Sequence, residues 1–408
     1  MNAQVHFDVL IIGGGMAGAS LACALTGRGL NIAVVEAVPL ADTGQPSYDD
    51  RGLALSAASR RILEGIGVWS AVQVNATPIE HIHVSERGGF GFTRIDAEEF
   101  AVPALAHVAI ARELGTALTT RMRQAADCTV FCPAKLTGMS IGSERVEATL
   151  QTGEGERRLT ANLLVGADGV ESRVRHTLAI GVRERDYHQT AIVANVTPSR
   201  PHFNTAYERF TPHGPVAMLP HKNDRCGVVW VQQAHEAAAT MTLDDASFLT
   251  GLQAQFGRRL GDLKNPGRRR AYPLKLTVAE RVAGPRFALI GNAAHAIHPN
   301  GAQGFNLGLR DVAALAEVVV AARAAGADPG RETTMRQYMD MRRVDQKRTI
   351  RATDGLARIF YNDILPVKLL RNLSMVTIDM VPPLKQVLAR GGSGLLGRQP
   401  RLVRGIPL

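Results

Sequence analysis

A glycine-rich turn near the N-terminus has the residue types and spacing that bind a phosphate group. Gly13, Gly15 and Gly18 form a G-x-G-x-x-G pattern where the apolar run FDVLIIG ends and the small-residue run MAGASLACAL begins. The first glycine permits a tight turn, the second lets a pyrophosphate approach the backbone, and the third lets a helix pack closely on a strand. Free N–H groups and the helix dipole then attract the phosphates. Glu36, roughly twenty residues further on, is placed to bind ribose hydroxyls.

Two later segments share this pattern, since each follows an apolar run and contains glycines. Residues 163–175 read LLVGADGVESRVR, with Asp168 in the turn. Residues 291–311 read GNAAHAIHPNGAQGFNLGLRD and lead into a helix that we expect to start near Phe305. Both have alternative interpretations. Asp168 could be an ordinary turn aspartate. The two histidines could bind a metal, although neither an HExxH pattern nor a nearby carboxylate pair supports this.

A parallel sheet would bring these segments together. Residues 8–36 read strand, glycine turn, helix and strand, and the runs NLLVGADG and RFALIGNA supply further short strands. Between them, β-rich runs such as TAIVANV and DRCGVVWVQ are separated by turn residues, which predicts an inserted, mostly antiparallel sheet. We therefore predict an α/β protein with a nucleotide-binding domain at 1–75, 104–185 and 270–330, a substrate domain at 76–103 and 186–269, and a C-terminal helical region at 331–408.

Composition and charge indicate a globular protein with a basic C-terminal region. The chain has 408 residues, 45% of them hydrophobic and 21% charged, which suits roughly two domains. The stretch from 331 to 408 holds 15 basic and 6 acidic residues, so it carries nearly all of the net charge of +10. We do not expect nucleic-acid binding, because this stretch lacks interleaved aromatic residues and any recognised motif.

The N-terminus and the cysteines indicate the cytoplasm. No charged region precedes an apolar stretch at the N-terminus, as a signal peptide would require, and we find no apolar span long enough to cross a bilayer. The four cysteines, Cys23, Cys128, Cys132 and Cys226, match no zinc or redox spacing. We expect reduced thiols, no metal site and a cytoplasmic protein, with peripheral contact at the inner face of the membrane as a further expectation.

The later two segments resemble the paired signatures of flavoprotein monooxygenases of the aromatic hydroxylase type. The first signature is seen as Gly-Ala-Asp-Gly at 166–169, followed by Ser172 and Arg175. The second is seen in Gly291, Ala293, Ala294, His295, Pro299, Gln303, Gly304 and Asp311. Two positions depart from the family pattern. Asn292 replaces the usual aspartate but can still accept a hydrogen bond through its amide oxygen, and Gly301-Ala302 stands where Ala-Gly is usual.

The resemblance implies one tightly held FAD in a Rossmann-like domain. In relatives, arginines matching Arg51 and Arg112 lie beside the flavin nucleotide, and bidentate pairing suits arginine to phosphate. The helix starting near Phe305 would direct its N–H groups at the flavin ring and favour negative charge on the reduced ring. The implied FAD-binding residues are Gly13, Gly15, Ala17, Gly18, Glu36, Arg51, Arg112, Asp168, Gly291, Asn292, Gln303, Gly304, Phe305 and Asn306.

The resemblance runs along the whole chain and is strongest to the ubiquinone-pathway hydroxylases, through segments such as YERFTPHGPVAMLP and AYPLKLTVAERV. It implies that NAD(P)H, as a transient visitor, reduces FAD, that O2 reacts at the flavin C4a position, and that one oxygen atom passes to a polyprenylated phenol such as 2-polyprenyl-6-methoxyphenol. It also implies a substrate pocket at Val216, Met218, Leu219 and Pro220. The acceptor of the phenol proton is not assigned. His213 and His221 are candidates and equally plausible turn histidines.

Other interpretations remain open at this point. A flavin hydroxylase of another ring position or another aromatic substrate would share these motifs, and a non-catalytic FAD-binding subunit of the biosynthetic complex would explain the two departures. In the tail, Leu369, Leu370, Leu373, Val376 and Met380 fall on one helical stripe. Such a basic amphipathic helix either lies on an anionic membrane surface or docks on the protein's own core. Partners in ubiquinone biosynthesis are a further expectation.

Overall fold

The computed structural model describes residues 5–39, 49–360 and 364–408. Its strands are β1 (Val5–Ile12), β2 (Ile32–Val35), β3 (Gly52–Ser56), β4 (Thr77–Ile79), β5 (His81–Glu86), β6 (Phe92–Asp96), β7 (Ala106–Ile110), β8 (Cys128–Phe131), β9 (Ala134–Ile141), β10 (Val146–Thr152), β11 (Gly155–Gly166), β12 (Val182–Pro198), β13 (Thr205–Phe210), β14 (Val216–Pro220), β15 (Cys226–Gln233), β16 (Leu263–Lys264), β17 (Arg270–Ala279), β18 (Ala283–Gly284), β19 (Phe287–Leu289) and β20 (His295–Ala296). Its helices are α1 (Met16–Leu25), α2 (Ala57–Gly65), α3 (Trp69–Val72), α4 (Ala111–Arg123), α5 (Arg173–Thr177), α6 (Ala234–Thr242), α7 (Asp245–Phe256), α8 (Gln303–Ala324), α9 (Glu332–Phe360), α10 (Leu365–Met380) and α11 (Pro382–Ser393).

The first sheet is parallel at its centre and holds the three glycine-rich turns at one edge. Its strand order is β18-β19-β11-β1-β2-β8, with β10 and β9 continuing from β11. β1 pairs in parallel with β11 and β2, and β11 pairs in parallel with β19. These strands are continuous apolar runs because α1, α4 and α8 cover one face and β9 and β10 lie over the other. The turns at 13–15, 166–169 and 290–293 therefore follow neighbouring strand ends.

The second sheet is mostly antiparallel, with the order β20-β17-β12-β15-β14-β13-β5-β6. Helix α7 packs on one face, and the core there includes Trp230, Phe248 and Phe256. A parallel pair, β13 with β5, joins the two parts of the inserted sheet that are far apart in sequence. The predicted fold class, an FAD-binding α/β domain with an inserted antiparallel sheet and a helical C-terminal region, is confirmed.

Two predicted domain boundaries fall within this second sheet, because the break at 185/186 lies inside β12 and the break at 269/270 lies at the start of β17. Residue 270 is the first residue of β17, and β17 pairs with β12 along its length to Ala279. The strand therefore belongs with the inserted sheet, because its hydrogen-bonding partner does. The local sequence does not mark this boundary, because RRRAYPLKLTVA contains no cluster of turn residues before Glu280. The remaining boundaries stay predictions.

The C-terminal region folds back over both sheets. α9 packs against α8, α10 lies on β6, and the turn at 402–404 contacts α2. Within the described ranges, no helix combines the length and the apolar character needed to cross a membrane.

Helix α10 docks through its polar face and leaves its leucine stripe outside. Arg371 Nε donates to Glu86 Oε2 (3.1 Å), Asn372 Nδ2 donates to the same oxygen (2.6 Å), and Asn372 Oδ1 accepts from Gly91 N–H (2.7 Å). Outward-facing Leu373 and Met380 are 55% and 74% exposed. Met375 packs with Phe210 and Phe360 beside these polar contacts. The helix therefore docks on the protein's own core, as one alternative predicted, but through Arg371, Asn372 and Met375 and not through its leucines.

Candidate active site

A cavity of about 1780 Å³ lies where the turn edge of the first sheet faces the second sheet. The chain brings its three glycine-rich segments to one wall of this cavity. The predicted FAD-binding residues that line it are Gly13, Gly15, Ala17, Glu36, Arg51, Asp168, Gly291, Asn292, Gln303, Gly304, Phe305 and Asn306. Gly18 and Arg112 are the two that do not line it.

The turn after β1 is built at the closest approach of two segments. Gly13 has a left-handed backbone (φ +102°), and a Cβ there would lie 2.5 Å from the Ala167 oxygen, so only glycine fits. Gly18 packs on the turn instead of facing the cavity, since its Cβ would lie 1.9 Å from the Gly13 oxygen. Gly14 N–H donates to Glu36 Oε2 (2.7 Å), which fixes Glu36 at the end of β2. α1 has no side-chain N-cap, so its first N–H groups are available to an anion.

The two arginines expected beside the nucleotide lie in different places. Arg51 lines the cavity, with Nε 3.3 Å from Asp49 Oδ1 and its guanidinium over the Tyr272 ring. Arg112 instead donates to Asp50 Oδ1 through Nε (2.9 Å) and Nη2 (2.6 Å), and more than half of its side chain is exposed. The position of Arg112 does not support the prediction, because its pairing with Asp50 holds the guanidinium away from the cavity wall.

Asp168 shapes the turn after β11. Its Oδ1 accepts from Ser172 Oγ (2.6 Å) and its Oδ2 accepts from Val174 N–H (3.1 Å), at the start of α5. Arg175, which is buried, donates from Nη1 to the Ala293 carbonyl (2.9 Å) and so ties this turn to the third segment. The ordinary-turn interpretation and the site interpretation of Asp168 are therefore compatible, since the turn that it organises lines the cavity.

The third segment turns sharply before α8. Gly301 and Ala302 both have a left-handed backbone, with φ of +63° and +51°. Helix α8 begins at Gln303, slightly before the predicted Phe305, and it has no side-chain N-cap. A left-handed backbone costs an alanine roughly 1–2 kcal/mol. The Gly-Ala order thus stores strain at the cavity wall, where strained residues tend to serve function.

Asn306 fixes α8 against β3. Its Nδ2 donates to the carbonyls of Ala54 (2.8 Å) and Ala302 (2.7 Å), and its Oδ1 accepts from Ser56 N–H (2.9 Å) and Ser59 Oγ (2.6 Å). The buried amide therefore has partners for both of its ends. Although Asn306 lines the cavity, these bonds direct its polar atoms to the protein, so it positions the wall that the cofactor would contact.

A buried charge network supports the third segment from behind. His295 Nε2 lies 2.6 Å from Asp311 Oδ2, and Arg342 Nε donates to Asp311 Oδ1 (2.8 Å). Burial alone would raise the pKa of Asp311, but His295 and Arg342 outweigh burial and lower that pKa. Arg342 Nη1 also donates to Asp345 Oδ2 (2.8 Å). Because Gly291 N–H reaches Asp311 (3.3 Å), this network connects directly to the turn at the cavity.

The histidines of this segment serve separate structural contacts. His295 belongs to the charge network, and the His298 ring lies edge-on to the Tyr187 ring, with 4.9 Å between the ring centroids. Across the part of the chain that the structure describes, no group of three or more His, Cys, Asp or Glu side chains could hold a metal ion.

The second sheet divides the predicted pocket residues between its two faces. Leu219 lines the cavity, and so does Ala217. Val216 and Met218 are fully buried on the other face, in the core that includes α7, and Pro220 does not line the cavity either. The pocket assignment of Val216, Met218 and Pro220 is therefore corrected. The physical reason is that successive side chains of a strand point to opposite faces.

Other wall residues had not been predicted from the sequence. Applied to each strand, the same two-residue alternation would have indicated the cavity-facing members of the second sheet. No local sequence pattern indicates that the C-terminal helices contribute to the cavity wall, because this contribution depends on how the helices pack. The unpredicted wall residues include Val84, Thr93, Ala191, Val193, Glu208, Val229, Val231, Leu356, Leu370, Met375, Val387 and Leu388.

The cavity fits a flavin dinucleotide. The uncapped start of α1 suits a pyrophosphate, and Glu36 lies at the strand end where an acidic residue contacts ribose hydroxyls. Gly13 and Gly15 line the cavity without side chains, so their backbone is open to the nucleotide. Past these groups, the uncapped start of α8 borders the space between the two sheets, where a flat ring can lie.

This fold and this site define a flavin-dependent hydroxylase of the aromatic type. The family model described as an FAD binding domain matches residues 6–353. The chain belongs to this family, in its ubiquinone-biosynthesis branch, and it is an FAD-dependent monooxygenase.

Similar proteins and structures agree with this assignment. Ubiquinone hydroxylase UbiL of Rhodospirillum rubrum is 38% identical over 410 residues, which cover 100% of this chain and 95% of that protein. The 3-demethoxyubiquinol 3-hydroxylase of Escherichia coli is 31% identical over 390 residues, which cover 95% and 98%. The crystal structure of p-nitrophenol 4-monooxygenase PnpA from Pseudomonas putida DLL-E4 has a TM-score of 0.81 at 16% identity, covering 97% and 100%, and so shares the fold.

Proposed function

We propose that this enzyme hydroxylates a polyprenylated phenol, 2-polyprenyl-6-methoxyphenol, with NAD(P)H and O2. The extent and lining of the cavity carry the proposal. Beyond the turn at 301–306, the wall is the apolar face of the second sheet, at residues such as Val193 and Val229. The wall then continues onto the C-terminal helices at Leu356 and Leu370. A long apolar chamber that starts at the flavin-side turn suits a phenol ring followed by a prenyl tail.

The chain's own groups would bind, orient and enclose the reactants. When bound, FAD supplies the oxygen-transfer chemistry. The N-termini of α1 and α8 would stabilise negative charge on the pyrophosphate and on the reduced ring, respectively. The apolar face of the second sheet would exclude the water that diverts the reaction to hydrogen peroxide. Since the sequence has one G-x-G-x-x-G turn set between a strand and a helix, NAD(P)H is expected to bind only transiently.

A direct assay tests this function. The purified protein, loaded with FAD, is expected to oxidise NAD(P)H faster in the presence of a short-chain 2-prenyl-6-methoxyphenol, and mass spectrometry should find one added oxygen atom per phenol. A different substituted phenol that is turned over faster would favour another ring position or another substrate. Bound FAD without phenol-stimulated oxidation of NAD(P)H would instead favour a non-catalytic FAD-binding subunit.

The outward face of α10 and α11 fits an anionic membrane surface. Leu373 and Met380 on α10 and Val387 on α11 are all more than half exposed. Two exposed arginines lie near this face, Arg358 on α9 and Arg390 on α11. Each adds about 1 kcal/mol of attraction to anionic lipids when it lies near the membrane surface. Because Leu370 and Val387 also line the cavity, a substrate embedded in lipid could enter between these helices.

Flotation with vesicles tests this membrane contact. The double variant Leu373→Glu/Met380→Glu is expected to lose at least about tenfold of the binding to phosphatidylglycerol-containing vesicles, because two carboxylates would have to be buried in the lipid interface. The control Val74→Glu/Val344→Glu places the same charges at exposed apolar positions outside α10 and α11 and should float like the wild type. The proposal would be contradicted if the wild type did not float with the vesicles, or if all three proteins floated equally. Either result would favour a protein partner for this face.

A further inference from the structure

Among the described residues, Glu208 is the one carboxylate that the second sheet contributes to the cavity wall. Strand pairing places Glu208 of β13 directly between Val84 of β5 and Ala217 of β14. The same row continues to Val229 of β15 and Val193 of β12. Because directly paired residues share a face of a sheet, Glu208 points to the same side as four apolar residues that line the cavity. Glu208 is half-buried, and a charge held among apolar side chains calls for a functional explanation because its loss of hydration is costly.

The third segment approaches Glu208 from the other side. Gly301 lines the same cavity as Glu208, and its backbone is near enough to lower the pKa of the carboxyl; the next residues of this turn begin α8. The carboxyl therefore lies between the apolar chamber and the flavin-side turn. Burial raises the pKa of Glu208 to about 7, and the Gly301 backbone offsets only part of this rise. A carboxyl group with a pKa near the working pH is suited to accept and return a proton.

The charged groups on the surrounding elements are engaged elsewhere, except Arg390 of α11, which lines the cavity, is exposed and does not contribute to the shift of the Glu208 pKa. Thr93, the next member of the row on β6, is not titratable, and its hydroxyl donates to the Met375 carbonyl (2.8 Å). Among the cavity-lining basic side chains of the C-terminal helices, Arg348 pairs with Asp345 (2.9 Å) and Arg371 pairs with Glu86. No basic side chain within 5–39, 49–360 and 364–408 forms an ion pair with Glu208, and no nearby charge contributes to its shift.

The two histidines considered from the sequence lie outside this chamber. His213 Nδ1 lies 3.0 Å from Glu236 Oε1, with half of its side chain exposed. His221 is buried behind the sheet edge, where its ring touches Gly52 and Gly227, and burial lowers its pKa to about 4. Neither residue lines the cavity. The proton acceptor must therefore be sought on the cavity wall itself.

We propose that Glu208 is the catalytic base that takes the proton from the phenol oxygen, an inference that rests on the proposed function. The O–H bond breaks, its electron pair stays on oxygen and enriches the ring, and the proton moves to the carboxylate. A ring carbon then forms a C–O bond with one atom of O2, and the hydrogen on that carbon leaves as a proton. NAD(P)H supplies two electrons and one hydrogen as a hydride. With one solvent proton and the proton released from the ring, these complete the new hydroxyl and the water, and Glu208 returns its proton to the phenolate oxygen.

The variant Glu208→Gln tests this role, because the amide keeps the shape but cannot accept the proton. General-base catalysis contributes about 10²–10⁴-fold, so we expect at least about 100-fold slower product formation at pH 8 with FAD content unchanged. The base works only when ionised. Wild-type product formation should therefore rise with pH through about 7, where the Glu208 pKa lies, and this rise should be missing in the variant. Glu208→Asp, which keeps a carboxylate, should restore part of the rate and of the pH dependence.

An infrared titration gives a readout that does not depend on turnover. Difference spectra of the oxidised holoenzyme should contain a protonated-carboxyl band that titrates near pH 7, shifts when the short-chain phenol binds, and is absent from Glu208→Gln. Glu236→Gln on α6, the same substitution outside the chamber, should keep the wild-type rate, pH profile and carboxyl band. The assignment of Glu208 alone would be overturned if the wild type turned over the phenol and Glu208→Gln were equally active. It would also be overturned if the carboxyl band did not shift when the phenol binds. Failure of the wild type to hydroxylate any phenol would overturn the proposed function as well.

Discussion

Replacing Gly18 with alanine is expected to deprive the protein of FAD. A Cβ at this position would lie 1.9 Å from the Gly13 carbonyl oxygen and 3.2 Å from Ile11 Cγ2, and the first of these atoms is backbone that cannot rotate away. Helix α1 would have to move off β1, and its free N–H groups would move away from the pyrophosphate. We expect FAD affinity to fall at least about tenfold, or about 1.4 kcal/mol, as measured by fluorescence titration of the apoprotein with FAD.

Gly355→Ala is the matched control for this prediction. Gly355 also lies inside a helix, α9, and a Cβ there would meet nothing within 4 Å. Alanine should be tolerated and should stabilise the helix by about 0.5–1 kcal/mol through its better propensity. If Gly18→Ala binds FAD as tightly as Gly355→Ala while circular dichroism shows both proteins folded, the turn after β1 is not the pyrophosphate site.

Replacing Arg342 with methionine is expected to cause the largest loss of stability. Arg342 is 1% exposed and donates to both Asp311 (2.8 Å) and Asp345 (2.8 Å). Removing one partner of a buried ion pair costs about 3–5 kcal/mol, because the other charge stays buried without compensation. The free energy of unfolding, measured by chemical denaturation, should fall by this amount. Because Asp311 also holds the Gly291 turn, FAD affinity should fall with it.

Arg336→Met on the same helix controls for the loss of an arginine as such. Arg336 pairs with Glu332 at 2.6 Å, but both side chains are more than half exposed. Exposed pairs contribute about 0–1 kcal/mol, so this variant should unfold close to the wild type. A similar, small loss in both variants would contradict the idea that the charge network supports the cavity wall.

The parts of the site that are local in sequence could be predicted. Gly13, Gly15 and Glu36 follow from one strand, one turn and the next strand, and each of these is set by apolar runs and glycines a few residues apart. The leucine stripe of α10 was likewise readable from periodicity. Such patterns depend on residues that are close in sequence, so they do not depend on how the rest of the chain folds.

The faces that the elements present were decided by packing. The run VAMLP at 216–220 is apolar throughout, so nothing in it distinguishes the cavity side of Leu219 from the core side of Met218. An amphipathic helix is expected to bury its leucines, yet α10 buries Arg371 and Asn372 because Glu86 and Gly91 of the second sheet satisfy them. Partners almost three hundred residues away in the chain leave no local signal.

The sequence by itself determined that a βαβ unit binds a dinucleotide, because glycine spacing, strand periodicity and an acidic strand end are properties of short stretches. The resemblance of two further segments to a known family then implied FAD. Only the tertiary structure decided which side chains face the chamber, that Arg112 turns to Asp50, and that Glu208 lies between apolar strands and the Gly301 turn. The physical reason is that the direction and the pKa of a side chain depend on strand register and burial, and both arise from contacts between segments that are distant in sequence.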